Sequence, residues 1–347
     1  MTSTVPRSDP ITLGDLGEDE ILARILPLLR PARQGGAGDS HSEIVGPGDD
    51  AAVLVTPDRL IVTTDSMIRG RDWRDDWSSP HDVAIKLGAQ NISDIAAMGG
   101  TATGAVLTIT AHGHTPFAWV SEFAAGLGQW CADAGVAIVG GDLSSAPQGV
   151  IQVSLTMWGS LEGRSPVLRS GAAAGDEVAV CGSLGWSDAG LASHESGEPE
   201  PLSGPLAPAA DRLKDAWRSF HRSPVPPWRS GPVAAQAGAT SMIDLSDGLV
   251  RDTARVARAS GVGIDLDRAA LRRDFVSTLA VVLPAEQAWR HVLGGGEEHS
   301  LLATFPPGGV PQDRSAPWRV IGRVGDGAGV TLDGAPAQMA GWDHFRT

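Results

Sequence analysis

The chain has 347 residues, 42% hydrophobic and 20% charged, enough for buried cores and for more than one domain, because single cores rarely grow past about 300 residues. Its formal net charge of -14 argues against a nucleic-acid surface, which needs clustered Lys and Arg. No apolar run approaches the ~20 residues of a membrane span, the N-terminus lacks the apolar stretch of a secretion signal, and Cys131 and Cys181 form no CxxC pair, so a cytoplasmic, disulfide-free protein without membrane contact is expected.

Glu18 to Arg30 carries Ile21, Leu22, Ile25, Leu26 and Leu29 at helical spacing, with Pro27 as a kink or early stop. Gln34 to Ser42 reads as a Gly/Ser loop. Ala51 to Val55 and Leu60 to Thr64 read as strands parted by the turn pair Pro57-Asp58. Ser79 is a good N-cap and Pro80 suits the first helical position, so a helix should run to about Met98 and stop at Gly99-Gly100. Ala105 to Ile109 is the next strand, Thr115-Pro116 opens a helix that Gly135 closes, and Val136 to Val139 is a short strand ending in GGD. Ile151 to Trp158 alternates as a further strand.

After Arg164 a turn-rich SGAAAGD segment precedes the strand Glu177 to Cys181, and the domain boundary is placed there, giving 1–163 and 164–347. Ser196 to Arg229, rich in Pro, Ser and charge, is expected to be a long, partly ordered surface excursion. Met242 to Asp244 is a short strand running into SDGLVRDTARVARASG, where Leu249, Thr253, Val256 and Ala257 make a helix face. His299 to Phe305 and Trp318 to Val324 are strands, and Val324 to Gly327 looks like a hairpin turn.

One device recurs along this order: a carboxylate at a strand end beside glycine or a hydroxyl. Asp49 and Asp50 follow a glycine turn; Asp65 stands beside Thr63 and Thr64; Lys86, Gln90 and Asp94 share one helix face; Asp142 closes GGD; Asp244, Ser246 and Asp247 sit in DLSDGL. Singly, each is readable as a turn or a helix cap. Two adjacent carboxylates ~4 Å apart repel by roughly 4 kcal/mol at an effective dielectric near 20, which invites a cation. Oxygen donors without HxxxH or cysteine pairs suit Mg²⁺ and disfavour zinc. No GxxxxGK[ST] is present, so a nucleotide must be held without a P-loop.

The motifs GDDAAVL, TTDSMIRG, KLGAQNISDIAAMGG, GGDLSS, VLRSGAAAGD, DLSDGLVRD, GGGEEHSLL and GWDHF together resemble, in order and spacing, the thiamine-monophosphate kinase family, within the superfamily of aminoimidazole ribonucleotide synthetase and selenophosphate synthetase. The resemblance runs from about Gly46 to Phe345. It implies an N-terminal α/β domain that pairs in a homodimer, a C-terminal α+β domain, and ATP in a long cleft. The implied reaction is transfer of the γ-phosphate of ATP to thiamine monophosphate, with several Mg²⁺ ions and a monovalent cation such as K⁺ as a further candidate.

By the same resemblance Asp49, Thr63, Thr64, Asp65, Asp94, Asp142, Asp244 and Asp247 bind metal, with Asp65, Asp94, Asp142 and Asp244 carrying the catalysis. Gly141, Asp142, Arg169 and Ser246 hold ATP, and Asp72, Glu297 and Trp342 meet the substrate. Two departures from the family pattern stand out: Asp72 replaces an expected substrate-touching histidine, and Glu298 stands where Asp is common in GGED. Competing readings are another ATP-dependent enzyme of the superfamily with a different acceptor, disfavoured for selenophosphate synthesis because no Cys lies near the N-terminal glycine-rich loop, or a non-catalytic cation- or nucleotide-binding homologue.

Overall fold

The computed structural model describes residues 10–30, 43–45, 53–56, 59–195, 207–312, 317–338 and 341–342. Asp49, Asp50 and the loop expected at Gln34 to Ser42 lie outside them. The chain divides into two units, one drawn from Met1–Thr56, Thr64–Gly88 and Thr103–Met157, the other from Pro57–Thr63, Ala89–Ala102 and Trp158–Thr347.

The first half of the chain supplies α1 (Leu13–Leu16), α2 (Glu18–Leu29), β1 (Glu43–Val45), β2 (Val53–Leu54), β3 (Leu60–Ile68), α3 (Pro80–Ala97), β4 (Thr101–Ala111), α4 (Phe117–Ala134), β5 (Ala137–Ser145) and β6 (Ile151–Ser160). α3 starts where expected, because Ser79 and Asp82 cap each other reciprocally: the Asp82 N–H donates to Ser79 Oγ and the Ser79 N–H to Asp82 Oδ2. α4 stops at Gly135, which takes φ 81° in the left-handed region. A four-stranded sheet has the order β3-β6-β4-β5, with β4 and β5 parallel across the α4 connection. Alternation in β6 buries Ile151, Val153, Leu155 and Met157 on one face and leaves hydroxyl-bearing Ser154 and Thr156 on the other.

The expected strand Val136 to Val139 proves longer: β5 continues through GGD to Ser145, so Asp142 sits within an edge strand, paired with Thr108 of β4. Gly141 is required there, since a Cβ would stand 2.0 Å from the Leu107 carbonyl oxygen.

The second half supplies β7 (Glu177–Cys181), α5 (Trp186–Glu195), α6 (Ala207–Arg222), α7 (Ser230–Gln236), β8 (Ser241–Leu245), α8 (Leu249–Ser260), β9 (Gly263–Leu266), α9 (Arg268–Leu271), a π-helical turn at Arg272–Val276, α10 (Ser277–Leu279), α11 (Ala285–Gly294), β10 (Ser300–Phe305), β11 (Trp318–Gly325), β12 (Gly329–Leu332) and β13 (Ala335–Pro336). Seven strands form a mixed sheet in the order β13-β12-β9-β11-β7-β10-β8. The three adjoining strands β7, β10 and β8 are buried on both faces: Val178, Val180, Ile243, Leu245 and Leu302 join one core with α5, α8 and α11, while Ala179, Cys181, Met242, Leu301 and Ala303 join another with Ala96, Ala97 and Ala234.

Two expectations change. The hairpin anticipated at Val324 to Gly327 is a turn between non-neighbours, because β9 lies between β11 and β12 and pairs with β12 in parallel. Within the expected excursion, residues 207–222 form α6, whose Ala210, Trp217 and His221 are buried at helical spacing against α5.

Candidate functional site

In the second unit three motifs distant in sequence meet on one loop. Asp244 is the last residue but one of β8, and Ser246, Asp247 and Gly248 turn the chain into α8. The Glu297 N–H donates to Ser246 O at 2.8 Å, the His299 N–H to Leu245 O at 2.9 Å and the Trp342 N–H to Asp247 O at 2.9 Å. The turn has no room for other side chains: Gly248 takes φ 116°, and a Cβ on it would lie 2.7 Å from Gly294 O. Asp244, Ser246, Asp247, Glu297 and Trp342 are therefore neighbours.

The C-terminal half of α3 comes to the same loop. Ser93 Oγ, which donates to Ala89 O, also lies 3.4 Å from His299 O. Next to it in sequence, Asp94 accepts from the Thr63 hydroxyl at 2.5 Å. Asp244 is buried and its carboxylate lies 3.6 Å from the His299 ring. Asp247 is differently placed: Arg255 pairs with both Asp247 and Asp252, and the Asp247 N–H donates to Asp252 at 2.9 Å. Burial pushes the Asp252 carboxyl up to about 7, against the pull of that N–H and of Arg255.

Arg169 is not beside Ser246. Its carbonyl accepts from Ser260 Oγ at the C-terminal end of α8, whereas Ser246 precedes the N-terminus, and a helix of 12 residues spans about 18 Å.

In the first unit Thr64, Asp65, Gly141 and Asp142 lie on the two edge strands. Alternation in β3 puts Asp65 on the same face as buried Met67 and turns Thr64 to the opposite face, where its hydroxyl meets Thr156 Oγ1 at 3.0 Å and donates to Leu155 O. Asp142 accepts from Ser144 Oγ at 2.6 Å. β6 and β4 separate Asp65 from Asp142, roughly 14 Å of sheet, so one copy of the sheet does not bring these two acids together.

Asp72 has a local role. Its carboxylate accepts the Ile68 N–H at 2.6 Å and closes the turn at the end of β3, in which Gly70 takes φ 82°. The acid at the position of the expected histidine is thus turned into its own loop.

Sequence reasoning missed the support beneath Glu297. Glu298 is buried and accepts the Ser187 N–H and the Ser183 hydroxyl, each at 2.7 Å, and burial pushes its carboxyl up to about 7 despite these donors. Glu297 and His299 on either side take φ of 58° and 52°, uncommon for residues other than glycine. Arg251 and Arg255 were missed as well, though spacing could have pointed to them, since they follow Asp247 by one and two helical steps.

Among the described residues no three His, Cys, Asp or Glu side chains converge as a metal cage. Mg²⁺ is ordinarily held by one or two carboxylates, with phosphate oxygens and waters completing the shell. The oxygen pair of Thr63 and Asp94, and separately the Asp244 carboxylate, fit that description. Asp247, already paired with Arg255, fits it least.

Residues 48–161 match the AIR synthase related protein, N-terminal domain family. The thiamine-monophosphate kinase of Mycobacterium tuberculosis is 43% identical over 341 residues, covering 96% of this chain and 93% of the relative. The chain belongs to the thiamine-monophosphate kinase family. Solved members share its fold of α/β and mixed-sheet domains: the thiamine-monophosphate kinase of Stenotrophomonas maltophilia K279a matches with TM-score 0.74 and 27% identity over 92% of this chain and 96% of its own. AaThiL complexed with AMPPCP and TMP matches with TM-score 0.70 and 27% identity over 97% of this chain and all (100%) of its own. Thiamine-monophosphate kinases thus align with nearly the whole chain.

Proposed function

We propose that this chain catalyses ATP-dependent phosphorylation of thiamine monophosphate to thiamine diphosphate. Membership of the thiamine-monophosphate kinase family over 96% of the chain carries the reading. An oxygen of the acceptor phosphate attacks the γ-phosphorus in line, the new P–O bond forms, and the bond to the β-phosphate oxygen breaks to release ADP. With a second pKa near 6 the acceptor is already mostly dianionic at neutral pH, so no protein base is required. Positioning and charge neutralisation carry the rate.

Within this reading Ser246, Gly141 and Asp142 bind ATP, Arg169 engages its phosphates as a planar fork, and Glu297 and Trp342 receive thiamine monophosphate. Trp342, half-exposed and held at its backbone N–H by Asp247 O, offers a face for a cationic ring. Asp49, Thr63, Asp65, Asp94, Asp142 and Asp244 would hold Mg²⁺, with Asp247 freed for it only by displacement of Arg255; Thr64, whose hydroxyl faces away, is the weakest member of the set. Bound there, Mg²⁺ neutralises charge as two phosphate groups approach. Asp72 is assigned to the turn and not to substrate.

The domains are proposed to divide near residue 163, and the chain to act in the cytoplasm as a homodimer. Two features favour pairing. Leu60, Val62 and Ile68 are exposed along the edge strand β3. Asp65 and Asp142 occupy opposite edges of one sheet, so edges from two copies must meet for both acids to serve one site.

Release of ADP on mixing the purified chain with ATP, thiamine monophosphate and Mg²⁺, with and without K⁺, tests the proposal. Turnover that depends on both substrates and on the divalent ion supports it. ATP hydrolysis indifferent to thiamine monophosphate refutes it.

A further inference from the structure

We infer that His221 of α6 is a positioning residue for substrate recognition, holding the Glu297 carboxylate in place through a chain that starts at Ser187. This rests on the reading of Glu297 as a substrate contact and goes beyond it by naming what fixes that contact. The His221 ring is buried, its Nδ1 lies 3.1 Å from Ser187 Oγ and 3.4 Å from Glu297 Oε2, and Glu297 itself keeps a third of its side chain exposed. A carboxylate that faces solvent on a left-handed residue has several rotamers available; a buried ring nitrogen 3.4 Å from one of its oxygens selects among them. With its proton on Nδ1 the ring presents a single N–H, shared between the Glu297 carboxylate at 3.4 Å and the Ser187 hydroxyl oxygen at 3.1 Å.

The surroundings keep the ring where it is. Ser187 lies in the first turn of α5, and its own N–H is taken by Glu298, so the residue that follows Glu297 in sequence also pins the residue that contacts His221. His221 is thus tied to both members of the Glu297-Glu298 pair, from a helix that begins some ninety positions earlier in the chain. Affinity for the acceptor depends on this tie; binding of ATP and the transfer step do not.

Steady-state kinetics of the full-length chain, varying thiamine monophosphate and ATP separately, tests the inference with His221→Ala, His221→Gln, Glu297→Gln and the double variant His221→Ala/Glu297→Gln. His221→Ala should raise KM for thiamine monophosphate about tenfold, the worth of one hydrogen bond to a charged group, with kcat and KM for ATP within about twofold. His221→Gln, whose amide still donates, should recover most of the loss, and the double variant should be no worse than Glu297→Gln alone. An unchanged KM for thiamine monophosphate in His221→Ala, beside a raised one in Glu297→Gln, overturns the inference and leaves the role of Glu297 standing. An unchanged KM in Glu297→Gln overturns both. Equal losses in kcat and both KM values, unrelieved by glutamine, mark His221 as structural and also overturn it.

Discussion

Asp142 and Asp65 are exposed or half-buried carboxylates on edge strands, so replacing either by Asn leaves packing intact. Each of Asp65→Asn and Asp142→Asn should lower kcat by about 10²–10³ while thermal denaturation stays close to wild type; normal turnover removes the residue from the mechanism. Glu298 gives a pH prediction. Its native pKa of about 7 lies above the ordinary 4.5, so the native state binds more protons between those values and loses stability as pH rises through them. Glu298→Gln removes that dependence: between about pH 5 and about pH 8 the wild type should fall relative to the variant by roughly 2–3 kcal/mol in denaturant unfolding. Parallel curves would show that the buried carboxyl does not titrate in that range. Asp72 follows a local logic, and Asp72→Ala should cost about 1–2 kcal/mol of stability while leaving KM for thiamine monophosphate unchanged. That Asp72 serves its own turn was not legible in the sequence, where only its departure from the family histidine could be seen. Nor was the burial of Glu298, whose partners Ser183 and Ser187 lie 115 and 111 positions away.

Helices with caps and periodic apolar faces were readable in advance: Ser79-Pro80 and Gly135 mark the ends of α3 and α4 because local chemistry alone decides them. α6 was hidden by its polarity, since its few apolar side chains are scattered among Asp, Arg, Lys and Ser and gain meaning only when α5 supplies the opposing face. The β11 to β12 turn was misread for a related reason: a glycine turn between two strands does not specify that they pair, and β9, from far upstream, takes the place between them. The DLSDG turn is where element geometry bears most directly on chemistry. Gly248→Ala must relieve both an unfavourable φ and a 2.7 Å approach to Gly294 O, so it should displace the GGGEEH segment from the loop. We expect a stability loss of about 3 kcal/mol together with loss of acceptor binding by calorimetry; a stable variant with normal affinity would mean that the turn tolerates rearrangement.

For the molecule as a whole, the strand order makes the pairing of copies testable by function. If β5 of one copy meets β3 of the other, Asp65→Asn and Asp142→Asn subunits, each inactive alone, should regain activity when mixed and allowed to exchange, up to about a quarter of wild type for random pairing. No recovery in a confirmed mixed dimer would place both acids in the site by some other route. Family membership and the broad two-part architecture could be read from ordered motifs, but which acids share a face could not, because strand alternation and sheet order set that. Trp342 has a practical consequence of its own. The chain has 11 tryptophans and no tyrosine, and of those tryptophans Trp342 alone is exposed, 49% accessible beside Asp247. Collisional quenching of the intrinsic ultraviolet emission by iodide should therefore act chiefly on this ring, and shielding of that emission by thiamine monophosphate would give the protein an unlabelled optical gauge of occupancy.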